Sequence, residues 1–375
     1  SALSSLSESA SFAAMPQTLT LPQFTFEDGT TLRDVPVAYQ TWGTLNTAGD
    51  NVVLACHALT GDTDVPDWWD GMLGADRALD PTRDFIVCLN VPGSPYGTVS
   101  PLTEHPDTGT RYGTDFPTVT IRDTVRLHRR ALEKLGVRRV ACAIGGSMGG
   151  MHVLEWAFET TEDGTPFVQS LVPIAVGGRH TAWQIGWSES QRQAIYSDPK
   201  WQGGTYSLDD PPTDGLATAR MMAMMSYRSE RSFEGRFGRE EMDDKDVQDD
   251  QDDAPFAVES YLRYQGDKLV DRFDAHCYVH LTKQMDTHDV SRDRGDYEAV
   301  LASIEQPTLV VGIDSDVLYP IREQRELAEH MPNATLEVLS APHGHDSFLI
   351  EFDDLSEMVT GWRTEQDVAR SSVTA

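Results

Sequence analysis

Short, almost uninterrupted apolar runs recur along this sequence and constrain its fold more than any other feature. Those typical of β-strands cover 52–59, 85–91, 139–146, 169–177, 307–313 and 334–340. Strands that are buried on both faces of a parallel sheet have continuous runs of this kind, whereas half-exposed strands alternate. After the second run, Ile121, Val125 and Leu132 fall on one face of a helix that Gly136 is placed to end. Strands alternating with helices predict an α/β fold with a mostly parallel, doubly wound sheet.

Residues 178–300 interrupt this alternation. They hold helical, methionine-rich sequence such as TARMMAMMSYRSE and no convincing parallel strand. Their acidic run DDKDVQDDQDD, at 243–253, fails as a calcium loop because no register combines Gly at position 6 with Glu at position 12. We therefore predict a helical insertion, residues 178–300, that acts as a lid on a core of residues 19–177 and 301–375. Residues 1–18 are predicted to be a loose tail, since they lack the basic and long apolar stretches of a secretory signal.

The balance of charge argues against nucleic-acid and membrane-surface roles. Asp and Glu number 60 against 30 Lys and Arg, giving a formal net charge of −30, which repels phosphate backbones and anionic lipid. Such self-repulsion is tolerable in high salt, because the Debye length falls to about 3 Å at 1 M. We therefore expect a halophilic protein of a high-salt cytoplasm. No stretch approaches the ~18 apolar residues of a membrane span.

The cysteines are far apart in the sequence and form no CxxC pattern. They are Cys56, Cys88, Cys142 and Cys277. Most lie in apolar runs, where cysteine usually behaves as a small buried hydrophobe. We expect neither a disulfide nor a metal site, and a reducing, cytoplasmic compartment.

The strongest local motif is RVACAIGGSMGGMHVLEW, in which an apolar strand leads into a glycine-rich turn and then a helix. This is a G-x-S-x-G nucleophile elbow in the strand–turn–helix context it requires, with Ser147 as the nucleophile. Side chains at 145 and 149 would collide with the adjacent strand and helix. The N–H of Met148, at the start of the helix, can donate to a developing oxyanion.

The expected partners of Ser147 follow in the order serine, acid, histidine, which is that of α/β-hydrolase triads. PTLVVGI is followed by Asp314 and Asp316, and ATLEVLS by His343 and His345. Spacing alone does not choose within either pair.

A second oxyanion donor is expected in the loop after the first apolar run. There the backbone N–H of Leu59 or Thr60 can pair with that of Met148. We interpret His57, at the end of that run, as a structural residue that shapes the loop.

With these residues in view, the sequence resembles the homoserine O-acetyltransferases, a branch of the α/β-hydrolase fold, over roughly residues 20–360. The blocks that carry the resemblance are HALTG (57–61), GSPYGTVSP (93–101), TGTRYGTDFP (108–117), TIRDTVRLH (120–128), GGSMGGM (145–151), SESQRQAI (188–195), DSDVLYP (314–320) and HGHDSFL (343–349). The resemblance implies that Asp316 and His345 complete the triad. It also implies that Arg192 binds the homoserine carboxylate and that Asp346 binds its ammonium group. The acidic run 243–253 has no counterpart that we can align.

The resemblance implies two-step transfer of acetyl from acetyl-CoA to the hydroxyl of L-homoserine, in methionine biosynthesis. Acetyl-CoA enters as a co-substrate, and no bound cofactor is expected. A succinyl donor or an L-serine acceptor is an alternative, because one methylene in a pocket is worth only about 1–3 kcal/mol. An esterase is a further alternative, and a catalytically dead binding protein is disfavoured because all three triad members are present. Family members are typically homodimers joined through the lid helices, and we expect the same here.

Overall fold

The structure, a computed structural model, describes residues 15–242 and 256–373, and over these ranges the chain forms one eight-stranded sheet. The strands are β1 (Gln17–Thr25), β2 (Thr31–Trp42), β3 (Val52–Cys56), β4 (Phe85–Leu89), β5 (Val140–Gly146), β6 (Leu171–Ile174), β7 (Thr308–Ile313) and β8 (Ala334–Leu339). Their order across the sheet is β1-β2-β4-β3-β5-β6-β7-β8. From β4 to β8 the neighbouring strands are parallel, and β2 is antiparallel to both β1 and β4. The predicted α/β fold with a mostly parallel sheet is confirmed.

The central strands are apolar along their whole length because both faces of the sheet are covered. In β3, Val52 and Leu54 belong to one buried cluster, whereas the intervening Val53 and Ala55 belong to a second one. Successive side chains of a strand point to opposite faces, so the two clusters lie on the two sides of the sheet. Each predicted apolar run contains one observed parallel strand, shortened at one or both ends.

The antiparallel pair β1–β2 was not predicted. Its first strand alternates buried and exposed residues, as expected for a strand with one face in solvent, but Pro22 interrupts the pattern. The two strands are joined by a turn that contains Gly29 at φ 88°. The predicted tail was wrong at its last two residues, because Gln17 and Thr18 pair with Tyr39 and Ala38. The rest of that tail up to residue 14 lies outside the described residues.

Helices cover the sheet and fill the interval between β6 and β7. They are α1 (Val65–Trp69), α2 (Ile121–Lys134), α3 (Met148–Trp156), α4 (Ala182–Ser197), α5 (Thr213–Tyr227), α6 (Glu230–Arg236), α7 (Ala257–Val270), α8 (Ala275–Asp286), α9 (Tyr297–Ala302), α10 (Ile321–His330), α11 (Ser347–Ile350) and α12 (Phe352–Val373). The predicted helix α2 begins at a capping box, in which Thr120 and Asp123 satisfy each other's backbone N–H groups. It ends before Gly136, whose φ is 89°.

Helices α4 to α9 lie between β6 and β7, in the interval assigned above to the helical insertion. Within it, α5 packs against α4, α7 and α8. The acidic run 243–253 lies outside the described residues. Among the helices of the described ranges, none combines the length and the apolar character that a membrane crossing requires.

Candidate active site

Ser147 lies at the sharp turn between β5 and α3. Its backbone has φ 57° and ψ −124°, a conformation that costs a non-glycine residue about 1–3 kcal/mol. The turn is pressed against the end of β3: a Cβ on Gly149 would lie 2.1 Å from the carbonyl oxygen of Cys56, and one on Gly145 would lie 2.6 Å from it. Both positions therefore require glycine.

Asp316 and His345 follow β7 and β8, and their side chains meet in the protein interior. The Nδ1 of His345 lies 2.7 Å from one carboxylate oxygen of Asp316. The other oxygen accepts the backbone N–H groups of Leu318 and Tyr319, at 2.8 and 2.9 Å. Burial by itself lowers the pKa of His345, but the negative charge of Asp316 and its hydrogen bond outweigh burial and raise it. The pair is therefore arranged to stabilise an imidazolium.

The structure distinguishes this pair from its sequence neighbours. Asp314 accepts a hydrogen bond from the hydroxyl of Ser340 at 2.6 Å, which fastens the end of β8. The side chain of His343 is about one-third exposed, at 32%. Of the two acids and two histidines left open by spacing, Asp316 and His345 are the two that are hydrogen-bonded to each other.

Aromatic rings connect His345 with the surroundings of Ser147. The ring centroids of Tyr319, Phe348 and Tyr227 lie 5.1, 5.6 and 5.8 Å from that of the imidazole. Tyr227 and Tyr319 also line the pocket that contains Ser147. The Nε2 atom of His345 is buried and has no hydrogen-bond partner among the described residues. An imidazole with an uncommitted nitrogen, as a general base requires, thus packs against the wall of the pocket that contains Ser147.

The predicted oxyanion donors lie at the same end of the sheet. Leu59 lines the pocket together with Ser147. The backbone N–H groups of Leu59, Thr60 and Met148 donate to no acceptor within the described ranges. They are therefore free to bind an oxyanion.

His57 holds the loop that carries Leu59 and Thr60. Its Nε2 accepts the N–H of Val91 at 3.1 Å, and its Nδ1 donates to the carbonyl of Ala58 at 2.8 Å. Burial lowers the pKa of His57 to about 4, so the ring is neutral at physiological pH. These bonds are those of a residue that shapes the loop.

The helical insertion forms much of the pocket wall. Ser147 shares the pocket with Leu59, His180, Gln184, Trp187, Ser188, Gln191, Ser226, Tyr227, Thr282, Met285, Leu318 and Tyr319. The cavity volume is about 20 Å³, room for about one water molecule. The wall combines apolar rings with amide and hydroxyl groups, so it offers both apolar contacts and hydrogen-bonding groups next to Ser147.

Arg192 lies on α4, is 5% exposed, and forms ion pairs with acidic side chains. Its Nη2 atom lies 3.0 Å from a carboxylate oxygen of Glu189 and 2.8 Å from one of Asp286. Its Nη1 atom is buried and has no partner among the described residues. Two carboxylates thus already compensate the charge of this predicted substrate-binding residue.

Asp346 follows His345 and lies beside two arginines, Arg220 and Arg228, that belong to none of the sequence motifs described above. Its carboxylate is 3.3 Å from the Nε of Arg228. Burial raises the pKa of Asp346, although the positive charges of Arg228, His345 and Arg220 partly oppose that rise. Arg220 itself has a buried Nε without a hydrogen-bond partner and no ion pair in the described part of the chain.

The residues that sequence reasoning missed come mainly from the insertion. Arg220, Tyr227 and Arg228 all belong to the segment TARMMAMMSYRSE. The many methionines of this segment are typical of a helix that packs against other helices. Charged and hydroxyl-bearing side chains within so apolar a helix were the available signal. His180, which lines the pocket, had no sequence signal at all.

Comparisons with known proteins bear on the fold and on the family of this chain. A family model described as the α/β hydrolase fold matches residues 51–352. A homoserine O-acetyltransferase of Salinibacter ruber is 73% identical over 349 residues, covering 93% of this chain and 97% of that protein.

Solved structures of related proteins include both esterases and transferases. An esterase superimposes with a TM-score of 0.83 at 26% identity, covering 93% of this chain and 99% of its own. A homoserine O-acetyltransferase of Staphylococcus aureus gives 0.73 at 27% identity, covering 93% and 94%. The same scaffold thus occurs in enzymes named for hydrolysis and for transfer.

Proposed function

Since this chain belongs to the homoserine O-acetyltransferase family of the α/β-hydrolase fold, we propose that Ser147, His345 and Asp316 transfer acetyl from acetyl-CoA to L-homoserine. The enzyme is an acyltransferase with acetyl-CoA as its co-substrate. The observation that carries the proposed mechanism is the buried His345–Asp316 pair, whose imidazole packs against two tyrosines of the pocket that contains the strained Ser147. Ser147 forms an acetyl ester between the two halves of the reaction.

In the first half-reaction, the Nε2 of His345 removes the proton of the Ser147 hydroxyl as its oxygen attacks the thioester carbonyl. The N–H groups of Met148 and of Leu59 or Thr60 bind the resulting oxyanion. The carbon–sulfur bond then breaks, the sulfur takes the proton from His345, and free CoA leaves. Acetylated Ser147 remains.

In the second half-reaction, the hydroxyl of homoserine gives its proton to His345 and its oxygen attacks the acetyl carbon. The bond to Ser147 breaks, and the serine oxygen recovers the proton. Water is a competing nucleophile at this stage. A pocket that holds the acceptor at high effective concentration next to acetylated Ser147 favours transfer over hydrolysis.

Binding of the amino-acid acceptor needs a cation for its carboxylate and an anion for its ammonium group. Asp346, next to His345, is the anion implied by resemblance, and it would bind the ammonium group while Arg228 lies 3.3 Å from its carboxylate. For the cation, Arg192 is the residue implied by resemblance, but Glu189 and Asp286 repel a third carboxylate. Arg220 lacks an ion pair among the described residues and lies within electrostatic reach of Asp346. We therefore favour Arg220 as the carboxylate ligand and keep Arg192 as the alternative to be tested.

We further propose a cytoplasmic homodimer that associates through helices of the insertion. Apolar side chains are exposed there: Trp183 at 50%, Ile185 at 37% and Met225 at 47%. These lie on α4 and α5, and contact with a second copy through these helices would remove such side chains from water. Sedimentation of wild type and Met225→Asp tests this, and a monomeric wild type would refute it.

The mechanism is tested by incubating enzyme with acetyl-CoA alone and measuring the mass of the Ser147 peptide. We expect an adduct of about +42 Da, one acetyl group, in wild type and none in Ser147→Ala. Crossing acetyl-CoA and succinyl-CoA with L-homoserine, L-serine and water then separates transfer from esterase activity. Thiol release that is independent of any amino acid would favour the esterase.

A further inference from the structure

A second histidine–carboxylate pair lies next to the catalytic one. The Nδ1 of His180 is 3.1 Å from one carboxylate oxygen of Asp286, and its Nε2 is 3.0 Å from the hydroxyl of Tyr319. His180 follows β6, Asp286 ends α8, and Tyr319 follows β7. These contacts therefore join the helical insertion to the loop that carries Asp316.

Arg192 extends this set of contacts on the insertion side. Its Nη2 lies 2.8 Å from the second carboxylate oxygen of Asp286. Asp286 thus uses one oxygen for His180 and the other for Arg192. The side chains of His180 and Arg192 are 0% and 7% exposed, so solvent screens this arrangement weakly.

Tyr319 connects the set to the catalytic residues in two ways. Its backbone N–H donates to Asp316 at 2.9 Å, and its ring packs against the imidazole of His345 at 5.1 Å with an interplanar angle of 32°. A shift of Tyr319 would therefore displace both the acid and the base.

The proton positions in the set follow from burial. Burial lowers the pKa of His180, although Asp286 opposes the change, so the ring is neutral. Its Nδ1 then donates to Asp286, which leaves Nε2 as an acceptor for the Tyr319 hydroxyl. That hydroxyl hydrogen is committed to His180 and is unavailable to substrate, so Tyr319 does not act as an acid.

We propose that Arg192, Asp286 and His180 are positioning residues that hold Tyr319 against His345, and that Arg192 serves both half-reactions in this way instead of contacting the homoserine carboxylate. The proposal rests on the function proposed above, because the shared element of the two half-reactions is His345. A residue that positions His345 must affect acetylation and deacetylation of Ser147 alike, whereas a carboxylate ligand affects only the second.

The test measures the two half-reactions separately in Arg192→Met, Tyr319→Phe and the double variant. Rapid-quench mass spectrometry follows acetylation of Ser147 by acetyl-CoA alone, and then its deacetylation at increasing L-homoserine. We expect each single variant to slow both steps by a similar factor, about 5- to 50-fold for a slightly misplaced base. The homoserine concentration at half-maximal rate should stay within about twofold of wild type.

Two comparisons separate positioning from loss of structure. The double variant should be no slower than the slower single variant, because the substitutions break one connected set. Arg192→Lys should recover part of both rates by restoring charge beside Asp286. Arg77→Met, which removes an exposed ion pair with Asp353, is the matched control and should behave as wild type.

The outcomes discriminate between the two roles of Arg192. If Arg192→Met raises the half-saturating homoserine concentration more than about tenfold with acetylation unchanged, the residue binds the carboxylate and the inference is overturned. Wild-type rates in Tyr319→Phe also overturn it. Absence of any adduct in wild type would instead refute the acetyl-serine mechanism, and this inference with it.

Discussion

Replacing Asp316 by asparagine perturbs the proposed catalytic centre with almost no change in the shape of the side chain. In wild type, one carboxylate oxygen accepts two backbone N–H groups and the other accepts the Nδ1–H of His345. Asparagine has one oxygen and one NH₂ group. Because only the oxygen can satisfy the N–H groups of Leu318 and Tyr319, the NH₂ must face His345. The imidazole then accepts at Nδ1 and carries its proton on Nε2.

The size of the effect follows from that tautomer. With a proton on Nε2, His345 cannot receive the proton of Ser147 or of homoserine, so both half-reactions fail. The same exchange in a serine protease triad lowers kcat by about 10⁴-fold, which corresponds to about 5.4 kcal/mol at 1.36 kcal/mol per factor of ten. We expect a loss of this order in both acetylation and transfer, with an unchanged circular dichroism spectrum.

The pH profile supplies an independent readout of the same contact. His345 must be neutral to act as a base, and Asp316 raises its pKa, so wild-type activity is lost as pH falls through that raised value. Removing the negative charge lowers the pKa of His345. The residual activity of Asp316→Asn should therefore persist to lower pH than the activity of wild type does, because the pKa of His345 is lower in the variant.

Free thiol release and the mass of the Ser147 peptide measure these rates, with Asp314→Asn as the matched control. The Asp314 side chain contacts Ser340 rather than a histidine, so its substitution should change kcat by less than about threefold. A variant of Asp316 that keeps a tenth of wild-type activity, or a control that is more damaged than Asp316→Asn, would refute the assignment of the acid.

The remaining predictions concern the elbow, the acceptor and the charge. Gly149→Ala should destabilise the fold by about 3 kcal/mol or more, seen as a lower Tm, because its Cβ would lie 2.1 Å from the carbonyl oxygen of Cys56; an unchanged Tm would contradict the close packing. Arg220→Met should raise the KM for homoserine and spare acetylation of Ser147, and equal damage to both steps would assign the carboxylate elsewhere. With a net charge of −30, Tm and activity should rise steeply between about 0.05 and 1 M KCl as the Debye length shrinks, and a flat titration would rule out the halophilic interpretation.

The parallel part of the sheet could be predicted from the sequence because one local pattern identifies its strands. Continuous apolar runs located the parallel strands, because burial on both faces leaves no room for polar alternation. The β1–β2 pair escaped because Pro22 lies within its alternating pattern, and proline argues against a strand unless the strand lies at an edge. The position of these strands at the edge of the sheet is a feature of the tertiary structure, which the local sequence does not reveal.

The candidate catalytic residues also divide into those with a local sequence signal and those without one. Ser147 was predictable because the nucleophile elbow is a local motif, and its partners follow in a fixed chain order. The choice between Asp314 and Asp316, and between His343 and His345, came only from resemblance. Spacing could not decide between the members of each pair, because they are only two positions apart in one loop. One member can lie in the interior and form a hydrogen bond while the other lies near the surface.

The insertion residues could not be assigned from sequence because their roles depend on how helices pack. Arg192 in isolation is a planar cation suited to a carboxylate, and the sequence does not reveal that Asp286, almost a hundred positions away, occupies it. Asp286 in turn fixes His180, and His180 fixes Tyr319 against the catalytic base. If this is the role of Arg192, the insertion does more than form the pocket wall: its helices also align the imidazole of His345. Opening of the insertion to water would then misalign the base as well, so that the competing hydrolysis of acetylated Ser147 is slowed in the state that admits water.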